Sequence, residues 1–419
     1  MASLKTEELA DHLFRHEYGK MVAVLSRIFG FENPELIEDV IQDAFVTALQ
    51  TWKYNATPRN PSAWLMQVAK RKAIDILRRN QLHQTTIDQH LALPVDLTID
   101  SFFHEDEIAD NQLRLIFACC HPALKEADQI ALTLKMISGF GIREIAQALL
   151  TTVDAIKARL SRARKFIRRE EIPLEIPTGK SLDERIFTVL TVLYLIFNEG
   201  YYSTQHEQII RRDLCDEALR LTKQLCAHKR GDQPPVHALI ALMSYHASRL
   251  TSRTDTQGNT VLLPDQDRSL WDQDLISQGH IHLQLASRTK PFGNYHIEAA
   301  IAAQHCLAPS FAETDWQTLL SLYDVLYTMK KSSQILLNKV VVLMQLKEYD
   351  HAQHLLLQLT SDLDQTVMFH SVFASLEMDV GHAAEAENHL KKAIQLSTSP
   401  LQKAFLEEKL SAVNSNSTT

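Results

Sequence analysis

The residues with most to offer an anionic partner lie between Gly141 and Arg169, in GIREIAQALLTTVDAIKARLSRARKFIRR. From Val153 onward, Ala158, Ser161, Arg162, Lys165 and Arg169 fall on one helical face, flanked by Lys157 and Arg159. Val153, Ile156, Leu160, Ala163 and Ile167 occupy the opposite face at helical spacing. Lysine and arginine presented in this way can neutralise phosphates or pair with guanine edges. Just upstream, Ile142, Ile145, Ala146 and Leu149 form another apolar stripe, which Thr151 and Thr152 interrupt. Thr152 is suited to cap the following helix, with Asp154 favourable in its first turn. Two short helices, a tight turn and a basic outer face make a helix-turn-helix that can lay its second helix in a major groove. A solvated basic helix in a bundle would carry the same pattern.

A second constellation is the pair IEDVIQDAFVTALQTW (Ile37–Trp52) and NPSAWLMQVAKRKAIDILRR (Asn60–Arg79). The first is an amphipathic helix with Glu38, Asp39, Gln42 and Asp43 on its outer face. The second carries Lys70, Arg71, Lys72, Arg78 and Arg79 against one acid, Asp75. Between them Lys53–Ala63 reads as a loop, and Ser62 is placed to cap a helix from Ala63 to about Arg79. Asp75 and Arg78 at i, i+3 also fit a plain surface pair.

Enzyme chemistry finds no foothold. There is no P-loop, no G-x-G-x-x-G and no G-x-S-x-G, and His206-Glu207 lacks the second histidine of H-E-x-x-H. Cys119-Cys120-His121 and His280-x-His282 have no C-x-x-C beside them, so neither a metal nor any other cofactor is expected.

These residues need helices to position them, and the composition supplies helices. Among 419 residues only 11 are glycine, hydrophobic residues make up 45% and charged residues 22%. Leu, Ala, Glu, Gln and Lys fill the runs between prolines, which favours helix over sheet. Five scattered cysteines argue against a disulfide framework and for a reducing, cytoplasmic setting. The polar start has no signal-peptide core, and no apolar run is long enough for a membrane helix. The net charge is −8, which alone argues against nucleic acid, but basic residues are concentrated in the two segments above. Residues 81–111 lose periodicity and gather acids as a linker. Near the end, Val342, Leu346 and Ala352 recur 34 positions later as Leu376, Val380 and Ala386, the spacing of tetratricopeptide (TPR) hairpins.

Val153, Ile156, Lys157, Arg159, Leu160, Arg162, Ala163 and Arg164 match V-x-x-V-K-x-R-L-x-R-A-R, and this stretch resembles region 4 of bacterial RNA polymerase sigma factors. Leu150 stands where that family usually has Gly. The helix pair of Ile37–Arg79 resembles sigma region 2, matching E-D-V-x-Q-x-A-F-x-x-A and A-W-L-x-x-x-A-x-x-x-A-I-D-x-L-R-R almost position by position. The likeness is to the extracytoplasmic-function (ECF) type. LRLIFACCHPAL (Leu113–Leu124), DERIFTVLTVLYLIFNEGYYS (Asp183–Ser203) and LLPDQDRSLWDQDLISQG (Leu262–Gly279) extend it to a subgroup with a fused C-terminal helical domain.

The resemblance implies promoter-specific initiation as a dissociable subunit of core RNA polymerase, without chemistry of its own. It implies contact with the promoter −35 element from Lys157, Ala158, Ser161 and Arg162, with Arg159 and Lys165 beside them. It implies polymerase docking through Glu38, Asp39, Gln42 and Asp43. The −10 element would be held by Trp64, Lys70, Arg71, Lys72, Arg78 and Arg79, with the loop Thr51–Pro61 capturing an unstacked base. Trp64 fits two roles equally, stacking on DNA or closing the core at a helix start. The acidic linker likewise fits a template mimic or a solvated tether. Asn198, Glu199, Tyr201 and Tyr202 could line a pocket or cap a helix.

The expected fold is all-α: region 2 over 1–80, the linker over 81–111, the region 4 helix-turn-helix over 112–172, and a TPR-like helical domain over 181–419 with repeats from about 310. Its partners would be core polymerase, promoter DNA and a protein or peptide ligand of the C-terminal domain, with no membrane. The competing reading is a TPR-type scaffold or sensor that keeps a helix-turn-helix but no longer binds polymerase.

Overall fold

The computed structural model describes residues 17–54, 57–84, 102–149, 151–201, 212–255, 261–398 and 400–416. Helices carry nearly all of it, and no β-strand is among the described elements. None of these helices is long and apolar enough to cross a membrane. Most of the expected linker, together with Leu150, Tyr202 and His206-Glu207, lies outside the described residues. The chain divides into two compact units, Met1–Ile196 and Phe197–Thr419.

In the first unit, α1 (17–29), α2 (Pro34–Tyr54) and α3 (Pro61–Gln84) come first. Their apolar positions recur every three or four residues, so each helix turns one stripe inward. Leu25, Ile37, Ile41, Ala44, Ala48, Leu65, Ala69 and Ala73 have no solvent exposure. Helix α3 starts earlier than the sequence reading placed it. Pro61 takes the first helical position, where its missing N–H costs nothing, and the Asn60 side chain accepts from Ala63 N at 3.0 Å. The cap is therefore Asn60 and not Ser62.

Four helices follow: α4 (Glu105–Cys119), α5 (Glu126–Met136), α6 (Ile142–Ala148) and α7 (Val153–Glu170). Helix α7 packs on both α5 and α6. The turn after α5 needs a glycine: Gly139 has φ +71°, and any Cβ there would sit 2.9 Å from the Tyr18 ring of α1. Helix α8 (Lys180–Tyr201) carries the unit boundary. Ile186, Val189, Leu190, Val192 and Leu193 are buried on it. Phe187, on the same helix, is 56% exposed. Arg185 on the same helix is buried and donates to the Phe117 carbonyl of α4.

The second unit contains α9 (Arg212–Ala227), α10 (Pro234–Ser248), α11 (Gln273–Ala286), α12 (Asn294–Leu307) and α13 (Trp316–Met329). Two hairpins follow, α14 (Ser333–Gln345) with α15 (Tyr349–Leu363), and α16 (Val367–Asp379) with α17 (Ala383–Leu396), before α18 (Pro400–Asn416). Helix starts Ser333 and Val367, and Tyr349 and Ala383, are each 34 residues apart. Ala352 and Ala386 are fully buried at equivalent points of the two hairpins, where small side chains let the helices approach closely. Lys347 (φ 59°) and Gly381 (φ 87°) make matching left-handed turns, again 34 residues apart. Val342 and Leu376 are both buried, but Leu346 is half-buried and its counterpart Val380 is exposed.

Candidate nucleic-acid interface

Helix α7 is built as its pattern requires. Thr152 is extended and its hydroxyl accepts from Ala155 N at 3.1 Å, so the helix begins at Val153. Ile156, Leu160, Ala163 and Ile167 are buried, while Val153 is only half-buried. Full burial of one Ile or Leu is worth about 1.5–3 kcal/mol against about 1 kcal/mol for a cap, so the stripe decides which way α7 faces. That orientation leaves Lys157, Ala158, Ser161, Arg162 and Lys165 exposed and Arg159 half-buried.

Arg162 is not a free fork. Its NH2 lies 2.7 Å from Asp128 Oδ1 and its Nε 3.2 Å from Oδ2, a bidentate pair to a carboxylate that is only 5% exposed at the first turn of α5. The bonded carboxylate holds the guanidinium above its ordinary pKa. Asp128 drew no attention in the sequence, because nothing local marks an aspartate whose partner is 34 residues away.

On α3, Arg71, Arg78 and Arg79 are exposed and Lys70 and Lys72 are half-buried. Lys70 Nζ stands 5.9 Å from the centre of the Phe103 ring, and Lys72 pairs with Asp43 at 3.2 Å. Trp64 is half-buried, with its ring 5.4 Å from that of the buried Trp52, so it closes the α2–α3 core at least on one side.

The acids of α2 divide into two sets. Asp39, Gln42 and Asp43 are exposed, as expected. Glu38 is not on the outer face: it is half-buried, with Lys135 of α5 at 3.4 Å and Arg164 of α7 at 3.6 Å. Glu35, one turn earlier, meets Arg164 at 3.1 Å. Helix α7 thus turns Lys157, Ala158, Ser161, Arg162 and Lys165 outward while Arg164, on its flank, is paired with acids of α2. A recess of about 290 Å³ lies along this contact, lined by Glu35, Ile142, Lys157, Leu160, Ser161 and Lys165 among others.

Elsewhere, Cys119 and Cys120 are fully buried and Cys120 Sγ is 3.6 Å from the Thr133 hydroxyl, while the His121 ring accepts from Ala123 N. Burial pushes the Cys120 thiol up to about 12. His282, by contrast, comes together with Cys226 and His237, two residues the sequence reading did not single out. At the end of α8, Tyr201 is buried, its hydroxyl accepting from Arg249 and its carbonyl from Arg253, so it serves packing and not a pocket wall.

The comparisons agree with this layout. Residues 13–83 match the model of sigma-70 region 2 and residues 114–167 that of sigma-70 region 4. Residues 185–287 match a family of unknown function, DUF6596. An ECF RNA polymerase sigma factor SigK of Mycobacterium ulcerans is 28% identical over 158 residues, 38% of this chain and 81% of its own length. An ECF RNA polymerase sigma factor SigX of Bacillus subtilis is 24% identical over 155 residues, 36% of this chain and 76% of its own length. The chain is an ECF-like sigma factor, one of a family of non-enzymatic transcription initiation factors. More particularly, it shares its family with an uncharacterized protein, R00370, of Rhizobium meliloti, to which it is 34% identical over 389 residues, 91% of this chain and 90% of the relative.

Proposed function

We propose that the chain binds core RNA polymerase through the exposed acids of α2 and directs promoter-specific initiation. Asp39, Gln42 and Asp43 dock on the polymerase, with Glu38 buttressing α2 from behind. Helix α3 holds the −10 element with Lys70, Arg71, Lys72, Arg78 and Arg79, and with the open edge of Trp64. Helix α7 reads the −35 element with Lys157, Ala158, Arg159, Ser161, Arg162 and Lys165. The observation that carries this reading is the face of α7: a buried stripe turns five of those six residues to solvent on a capped helix of 18 residues. The protein works in the cytoplasm, where its polymerase is. The hairpins that repeat at 34 residues support a TPR-like C-terminal region that takes a protein or peptide ligand.

The deciding experiment is transcription in vitro with core polymerase, the purified protein and the DNA upstream of its own gene. A discrete start site that needs the protein is the expected outcome. Binding to that DNA without any effect on polymerase would leave a DNA-binding scaffold and remove the sigma reading.

A further inference from the structure

Three residues of the second unit, distant in sequence, bring metal-ligating atoms together. Cys226 is in the last turn of α9, His237 in the first turns of α10 and His282 on α11. Cys226 Sγ lies 3.6 Å from His237 Nδ1, and His237 Nδ1 lies 2.8 Å from His282 Nδ1. We propose that Cys226, His237 and His282 form a zinc-binding site with its fourth position open to solvent or to an exogenous ligand.

Geometry carries the proposal. With Zn–S about 2.3 Å and Zn–N about 2.0–2.1 Å, a tetrahedral site has an S–N edge of about 3.5 Å and an N–N edge of about 3.3 Å. The first is already present, and the second needs the two rings to part by about 0.5 Å, a side-chain adjustment. The proton bookkeeping agrees. His237 Nε2 is 2.7 Å from Asp232 Oδ1, and a carboxylate takes an N–H, so the ring turns its other nitrogen, Nδ1, to the cluster. A carboxylate behind a ligating imidazole orients the ring and strengthens it as a donor. Metal uptake displaces the proton of the Cys226 thiol. A mixed thiolate and imidazole set favours zinc over the hard oxygen-seeking cations.

A second histidine pair shows what the site needs beyond two rings. His370 and His389 also approach through Nδ1 atoms, at 2.9 Å, but His389 is stacked on Phe373 and the described cysteines are elsewhere. It serves as the control.

The test uses the full-length chain, stripped with a chelator and titrated with Co(II). A thiolate-to-cobalt charge-transfer band with intense tetrahedral d–d absorption, bleached by Zn(II), is the expected result. Cys226→Ser should abolish the charge-transfer band, whereas Cys306→Ser and His389→Gln should leave it intact. Asp232→Asn, at a largely exposed side chain whose loss does not threaten the fold, should weaken zinc binding about 10–100-fold. Absence of the band in the wild-type chain, or its survival in Cys226→Ser, overturns the proposal. The readout is a spectrum of the second unit and does not depend on polymerase or promoter binding.

Discussion

Asp128 is buried, and both of its carboxylate oxygens are met by the guanidinium of Arg162, whose outer edge remains exposed on the proposed DNA face. Truncating Arg162 therefore does two things at once: it removes a candidate base contact and strands a buried charge. Arg162→Ala should lower both the melting temperature and the preference for the −35 sequence. Adding Asp128→Asn, which makes the buried side chain neutral, should recover the melting temperature and leave the sequence preference lost. If the double variant regains its preference in gel shifts on −35 mutants, Arg162 does not touch the bases. Lys165 has no such second duty among the ion pairs of α7 and is exposed. Lys165→Ala should weaken binding evenly across sequences and reduce the slope of log affinity against log salt by about 1. At this scale the exposed positions of α7 were legible from helical periodicity, because exposure follows from the buried stripe opposite. Asp128 was not legible, since its role exists only once α5 and α7 are packed together. Cys226, His237 and His282, spread over three helices, were hidden for the same reason.

At the scale of the element, α2 presents acids in two directions, and they do different work. Glu35 and Glu38 lie toward Arg164 and Lys135, whereas Asp39 and Asp43 face outward, with Asp43 also pairing with Lys72. Reversing Asp39 and Asp43 together to Lys should weaken association with core polymerase, measured by native gel or interferometry, with little change in thermal stability, because exposed charge pairs contribute little. Glu38→Gln should do the opposite: it should cost about 1 kcal/mol of stability in denaturant and leave polymerase affinity nearly unchanged. Equal polymerase binding by the doubly reversed protein would mean that α2 docks by another face. The amphipathic pattern showed that α2 has an inside and an outside but could not place Glu38, which sits at the border between them. Helix α3 teaches a related lesson. Ser62 and Asn60 are both competent caps, and Pro61, fixed near helical φ, selects the earlier one. Helix α7 offered no such competition, and its cap at Thr152 follows directly from the threonine pair and the stripe beyond it.

For the whole molecule, the question is what the second unit does for the first. A covalent tether keeps it at an effective concentration on the order of millimolar relative to the sigma regions, so even a weak interaction would be populated. We expect a required, positive role in transcription. The place to cut the chain is set by α8. Arg185, early on that helix, is buried and bonded to the Phe117 carbonyl, and the residues around it are core residues of the first unit. Cutting after Lys180, where the prolines at 173 and 177 end the region 4 segment, would remove those contacts and test the stability of the sigma regions along with the second unit. A chain ending at Tyr201 keeps all of α8 and separates the two effects. It should melt cooperatively, bind promoter DNA through α7, and support much less promoter-dependent transcription than the full chain. Higher activity from the shortened chain would mean that the second unit masks the sigma regions. Activity, polymerase affinity and DNA affinity all equal to those of the full chain would make the second unit a passenger in initiation and leave it only whatever ligand its hairpins bind.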